Sequence, residues 1–155
     1  MKIRLIIGLV IALFSVISYY SSTSVNEITG EKQHIKMTAE QEIQLGLQSA
    51  PQMAQEMGGL ANNPQAQALV KKVGQRVVAS SAAVKSPYKY DFHLLADPET
   101  INAFALPGGQ IFITVGLLKL LRTEGELAGV LGHEVGHVVA RHSAEHMAKA
   151  GLTQG

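Results

Sequence analysis

Thr123-Glu124-Gly125-Glu126-Leu127-Ala128-Gly129-Val130-Leu131-Gly132-His133-Glu134-Val135-Gly136-His137-Val138-Val139-Ala140-Arg141-His142 is the stretch on which the reading of this chain turns. Thr123, followed three residues later by Glu126, is a capping-box pattern that opens a helix. No proline interrupts the chain from Glu124 to Lys149, and Gly151 is a natural stop. The helix is therefore expected to run to about Lys149, roughly 39 Å at 1.5 Å per residue. On it, His133-Glu134-Val135-Gly136-His137 fits H-E-x-x-H. Residues i and i+4 share a helical face, so both imidazoles can reach one ion. Glu134 is rotated by about 100° and can reach a water on that ion without ligating it. Zinc accepts two neutral imidazoles and a carboxylate, and keeps a fourth position for a water whose pKa falls to about 7. With 6 His among 155 residues, chance supplies only about 0.015 such matches per chain.

His142-Ser143-Ala144-Glu145-His146 offers a rival, the inverted pattern H-x-x-E-H. On a continuous helix His142 stands about 140° round from His137, so the two pairs cannot share an ion. Surroundings favour the first pair. Small and apolar residues precede it, lie inside it and follow it, whereas Arg141, Ser143 and Lys149 flank the second. A solvated face near the helix end is the better reading of His142 and His146. The plain alternative for His133 and His137 is a hydrogen-bonded core pair, costly to bury without partners or a metal. Leu127, Val130, Leu131, Val135, Val138 and Val139 lie on more than one face of the helix, so part of it is expected to stay uncovered.

Outward from this helix the elements read as an α+β domain, mainly helical around a small sheet. Thr38 and Gln41 form another capping box, and Ala39, Ile43, Leu47, Ala50, Ala54 and Met57 recur at helical spacing. Pro51 is a kink, and Gly58-Gly59 ends that helix. Asn63-Pro64 starts the next, with Ala66, Leu69, Val70, Val73 and Val77 as its stripe. Tyr88, Tyr90, Phe92 and Leu94 alternate with polar residues as a half-buried strand, and His93 on its polar face carries no assigned role. Pro107-Gly108-Gly109 is a turn into a second strand, residues 110–115, followed by a short apolar helix at 117–121.

Composition narrows the function. A formal charge of +1 removes the basic footprint of a nucleic-acid binder, and 46% hydrophobic residues with 16% charged ones exclude whole-chain disorder. The absence of Cys excludes disulfides, thiolate nucleophiles and thiolate zinc sites. Lys2 and Arg4 precede an apolar run over residues 5–20 that reads as an uncleaved membrane anchor or a signal segment, the anchor being favoured. Either reading exports the rest of the chain. The expected organisation is an anchor or signal at 1–24, a linker at 25–37 and, from 38 to 155, the N-terminal part of a domain that carries the metal motif.

Asn102-Ala103-Phe104-Ala105-Leu106-Pro107-Gly108-Gly109, then a strand, Gly116-Leu117-Leu118 and His133-Glu134-Val135-Gly136-His137-Val138-Val139-Ala140-Arg141-His142 carry a family resemblance. The chain resembles the HtpX-type and CAAX-prenyl-endopeptidase family of gluzincin metallopeptidases, and within it the exported group of BepA-like and Oma-like members. The resemblance spans about residues 38–150. It implies a zincin-like fold, one zinc ion on His133 and His137, Glu134 as catalytic base, and membrane-linked protein quality control on the periplasmic side of a Gram-negative cell. It also implies that the strand after Gly109 is an edge strand bordering the cleft above the active-site helix. Asn102, Pro107, Gly108, Gly109, Ile111 and Ile113 are the expected substrate contacts. Such an edge can take an extended peptide by strand addition. Unfolded or membrane-associated proteins are the expected substrates, with residues 5–20 in the membrane and no nucleic-acid partner. The family's third ligand is a Glu on a later helix. Glu145, eight positions past His137, lies about 12 Å further along a continuous helix, so the third ligand is expected beyond Gly155 and the chain is expected to be truncated. A membrane-anchored chaperone using the same cleft without catalysis is the alternative.

Overall fold

Thr38 opens the first helix through both halves of its capping box: its Oγ1 accepts from the Gln41 N–H at 3.2 Å, and Gln41 Oε1 accepts from the Thr38 N–H at 2.9 Å. The computed structural model describes Ile7, Gly8, Ile11 and residues 37–142. Helix α1, Ala39–Glu56, continues through Pro51 and ends before Gly58 and Gly59, whose φ values are 83° and 76°. Its second half keeps the apolar stripe expected from the spacing, with Ala50, Ala54 and Met57 packed against Leu95, Leu106 and Phe112, but its first half does not. Glu42 and Gly46 are the buried positions, while Leu47 is 49% exposed. The reason is close backbone packing. A Cβ at Gly46 would stand 2.0 Å from the Pro107 carbonyl oxygen, and one at Gly108 (φ 87°) would stand 2.3 Å from Ile43 Cα. Small residues rather than apolar bulk therefore seat α1 on the Pro107-Gly108-Gly109 turn.

Helix α2, Pro64–Ala79, is capped by Asn63, whose Oδ1 accepts from the Ala66 N–H at 3.1 Å; it buries Val70 and Val73. Strand β1 spans Asp91–Leu95, β2 Ala103–Ala105 and β3 Gln110–Thr114; helix α3 is Val115–Leu118 and α4 is Glu124–Val139. The sheet order is β1-β3-β2, with β1 parallel and β2 antiparallel to β3. Thr114 joins β3 to α3. It is fully buried, its hydroxyl donates to the Thr100 carbonyl at 2.5 Å, and it caps α3 by accepting from the Leu117 N–H at 3.2 Å. The main core lies between α2, α4 and one face of the sheet, centred on Phe92, Leu94, Ile111, Ile113 and Leu131.

The α+β reading, a small sheet with the active-site helix against it, is borne out, and four details are corrected. The strand after Gly109 is not an edge: β3 is paired on both sides, and the edge nearest α4 is β2. β1 begins at Asp91, because the backbone before it meets the Gly108-Gly109 turn and α2 rather than a strand: Lys89 N–H donates to the Gly108 carbonyl at 3.2 Å, and the Tyr90 carbonyl accepts from Gln75 Nε2 at 3.0 Å. α4 ends at Val139, about 24 Å long, with Ala140 as its cap and Arg141 in the left-handed region at φ 60°. The apolar residues of α4 are covered: Leu127, Val130, Leu131, Val135, Val138 and Val139 are all buried.

The membrane anchor expected over residues 5–20 is also corrected, and with it the membrane partner and the anchored localisation. Among the described residues no helix is long and apolar enough to cross a membrane. A 16-residue run makes a helix of about 24 Å against hydrocarbon of about 30 Å, and Ile7, within that run, packs against the main core. The rest of the run, the linker at 25–36, and Glu145, His146 and Gly151 lie outside the described residues.

Gly46→Ala should lower stability by about 1–3 kcal/mol, since the new methyl group meets a backbone carbonyl that cannot step aside. Gly129→Ala, where a Cβ meets nothing within 4 Å, should instead be neutral or stabilising by up to about 1 kcal/mol through helix propensity. Urea denaturation of the two variants measures both.

Candidate metal centre

The local sequence places α4 firmly. Thr123 Oγ1 accepts from the Glu126 N–H at 3.1 Å, while the Glu126 carboxylate turns back to the Arg122 N–H at 2.6 Å rather than to Thr123. Packing against α2 and β2 then fixes the helix rotation. His133 and His137 lie one turn apart on one face, their Nε2 atoms 2.9 Å from each other and their rings edge-on. Glu134 is 7% exposed and His137 5%, with His133 half-buried. One donor atom from each of the three falls within 4.8 Å of the others, and this is the only such group of three among the described residues.

The donors fit zinc. Two nitrogens each about 2.05 Å from a tetrahedral ion stand about 3.3 Å apart, and the 2.9 Å between the two Nε2 atoms is within a few tenths of that. Burial lowers the pKa of His133, keeping the imidazole in the neutral form a metal needs, and it pushes the Glu134 carboxyl up to about 8, so that without a cation beside it the carboxyl holds its proton. Glu134 is thus a carboxyl of high proton affinity in an apolar wall, a property suited to taking and returning protons.

The residues expected to touch substrate are dispersed. Ile111 and Ile113 are 0% exposed in the core, on the central strand. Pro107, Gly108 and Gly109 are buried in the turn beneath α1. Asn102 is partly buried just before the edge strand β2, its carbonyl accepting from the Thr114 N–H at 3.0 Å. His93 meets Gln110 Oε1 at 2.8 Å, away from the histidine pair.

Three residues beside the centre escaped sequence reasoning. Glu42, 1% exposed, receives the Arg141 Nε–H at 3.1 Å on each carboxylate oxygen and the Tyr88 hydroxyl at 2.8 Å. Arg141 also donates through Nη2 to the Met37 carbonyl. Burial raises the pKa of Glu42, while the bonds from Arg141 and Tyr88 pull it back. Arg141 was visible as the first charged group after the apolar run, but nothing in the spacing around Glu42 marks it as buried.

Comparison with known proteins agrees with this geometry. The profile of Peptidase family M48 matches residues 64–154. The chain belongs to that family. It is 47% identical over 79 residues to the mitochondrial metalloendopeptidase OMA1 of Schizosaccharomyces pombe, covering 51% of this chain and 23% of that protein. It is 40% identical over 86 residues to a putative beta-barrel assembly-enhancing protease of Vibrio cholerae, covering 56% of this chain and 17% of the relative. It is 34% identical over 88 residues to the beta-barrel assembly-enhancing protease of Escherichia coli, covering 57% and 18%. The matched segment thus spans less than a quarter of each of these M48 relatives. The resemblance to Oma-like and BepA-like proteins read from the sequence is borne out.

Arg141→Met should cost about 3–5 kcal/mol, because it strands the Glu42 carboxylate in the interior. Glu42→Met combined with Arg141→Met should recover part of that loss, since no charge is then left unpaired. Thermal and urea unfolding of the single and double variants test this.

Proposed function

We propose that this M48 chain carries the catalytic helix of a zinc-dependent metalloendopeptidase, with one ion held by His133 and His137 through Nε2. The observation that carries the reading is the convergence of both Nε2 atoms beside the buried Glu134 carboxyl. Zinc, when bound, supplies a Lewis acid that polarises the scissile carbonyl and acidifies the attacking water. A cation beside it favours the ionised form of Glu134, whose carboxylate accepts the proton of that water and then delivers it to the departing amine. The apolar residues around it keep bulk water from this transfer. Residues 38–155 form part of the metallopeptidase domain on this reading. Among the described residues no further carboxylate joins the three, so the expected third ligand falls outside them.

The substrate is an extended segment of unfolded polypeptide lying along β2. Asn102 and Leu106 direct backbone groups at β3, since Thr114 N–H donates to the Asn102 carbonyl and Leu106 N–H to the Gln110 carbonyl. Ala103, next to Asn102 in the alternating antiparallel ladder, presents its backbone groups to the outer side. A role in protein quality control accords with the bacterial relatives being beta-barrel assembly-enhancing proteases.

His133→Ala and His137→Ala should each abolish stoichiometric zinc binding, whereas His93→Ala should not, by metal analysis of the folded variants. Glu134→Gln should keep zinc and lose hydrolysis of an unfolded protein by roughly 10²–10⁴-fold. Unchanged turnover would leave the carboxyl without its assigned role. Ala103→Pro should lower kcat/KM with little change in unfolding temperature, because a proline there removes an outward donor and spares the bonds to β3.

A further inference from the structure

Arg141-His142 closes the motif of α4 but has no part in the chemistry above. The chain leaves the helix at Ala140, and Arg141 sits at φ 60°, a conformation that costs a non-glycine residue about 1–2 kcal/mol. Something must hold it there. Both Glu42 oxygens accept from Arg141 Nε at 3.1 Å, and the Met37 carbonyl accepts from Nη2. The turn so fixed brings His142 back against the active-site helix. Its Nδ1 lies 2.7 Å from Nδ1 of His137, with the ring centroids 5.0 Å apart. His137 therefore has a nitrogen on each side: Nε2 toward His133, and Nδ1 toward His142.

We propose that His142 is a positioning residue for the metal centre, accepting the Nδ1–H of His137 on its own Nδ1, and that the Glu42–Arg141 pair holds it in place. This rests on the zinc reading of His137. A neutral imidazole that offers Nε2 to an ion carries its proton on Nδ1, and a hydrogen bond to that proton fixes both tautomer and ring orientation. With Nδ1 of His137 as donor, Nδ1 of His142 is the acceptor. His142 carries its own proton on Nε2. The H-x-x-E-H histidine is thus no ligand of a second ion but an outer partner of the first. Its ring meets the side of His137 turned away from His133.

Two measurements on the full chain test this. The first is through-hydrogen-bond nitrogen–nitrogen coupling between the two Nδ1 atoms, read by NMR without metal and with zinc. A coupling whose proton belongs to His137 is expected, and its absence in both states overturns the proposal. The second is zinc affinity, measured by competition with a chelator. His142→Leu should weaken it about 10–100-fold, and His142→Asn, whose Oδ1 replaces the acceptor, should stay within about threefold of the parent. Glu42→Gln should weaken zinc several-fold while circular dichroism shows the helices intact. Parent affinity in His142→Leu, or equal losses in His142→Leu and His142→Asn, overturns the assignment. If His142→Leu does not fold, the coupling and His142→Asn decide. Failure of the parent chain to bind zinc would sink the zinc reading instead, and the coupling, readable without metal, still decides the hydrogen bond.

Discussion

Burying a helix that carries two imidazoles and a carboxylate is the constraint around which this domain is organised. An unpaired ionised carboxylate in an apolar wall is unfavourable by several kcal/mol, and Glu134 answers by holding its proton up to about pH 8. The rest of α4 makes such burial possible. Leu127, Leu131, Val135 and Val138 pack against α2 and the sheet. The apolar wall and the titratable groups are parts of one arrangement. The same exclusion of water that makes the carboxyl hard to ionise strengthens its interaction with any cation placed beside it.

A second constraint acts on the end of that helix and comes from far away in sequence. Glu42 and Arg141 are 99 residues apart, yet they form a partly buried pair that ties α1 to the exit of α4. Two close backbone approaches, Gly46 against Pro107 and Gly108 against Ile43, seat α1 where this pair can form. A buried pair of this kind adds little net stability compared with apolar residues of the same shape. What it supplies is position: it specifies where the helix stops and which way the chain turns next.

Legibility in the sequence divides along the same line. The starts of α1, α2 and α4 depend on local capping chemistry, and Thr38, Asn63 and Thr123 each cap where spacing placed them. The imidazole pair was legible for a similar reason, because i and i+4 convergence is a property of any helix. The end of α4 was not. No Gly or Pro marks Val139, and Arg141 leaves helical geometry because a carboxylate on α1 and the Met37 carbonyl receive it there. Ala50, Ala54 and Met57 pack inward as their spacing suggests, but Glu42 and Gly46 were missed because the partner at Gly46 is a backbone turn, which leaves no apolar periodicity behind. Edge and centre in the sheet were exchanged because strand order is set by tertiary pairing. The available clue was the unbroken apolar run Ile111-Phe112-Ile113, the pattern of a strand covered on both faces, and all of Gln110 to Thr114 is buried.

The inverted histidine pattern illustrates how one local error propagates. On an unbroken helix, His142 points about 140° away from His137, and a solvated side chain is then the sensible reading. Breaking the helix at Ala140 removes the premise. The rotation argument still holds against two pairs of histidines sharing one ion, but not against a nitrogen of His142 meeting the far side of His137. A line of three imidazoles results, His133 to His137 to His142, in which only the first two face the candidate ion site. Ligand geometry in this domain therefore depends on the turn after the helix as much as on the helix. The turn in turn depends on one carboxylate near the start of the described chain.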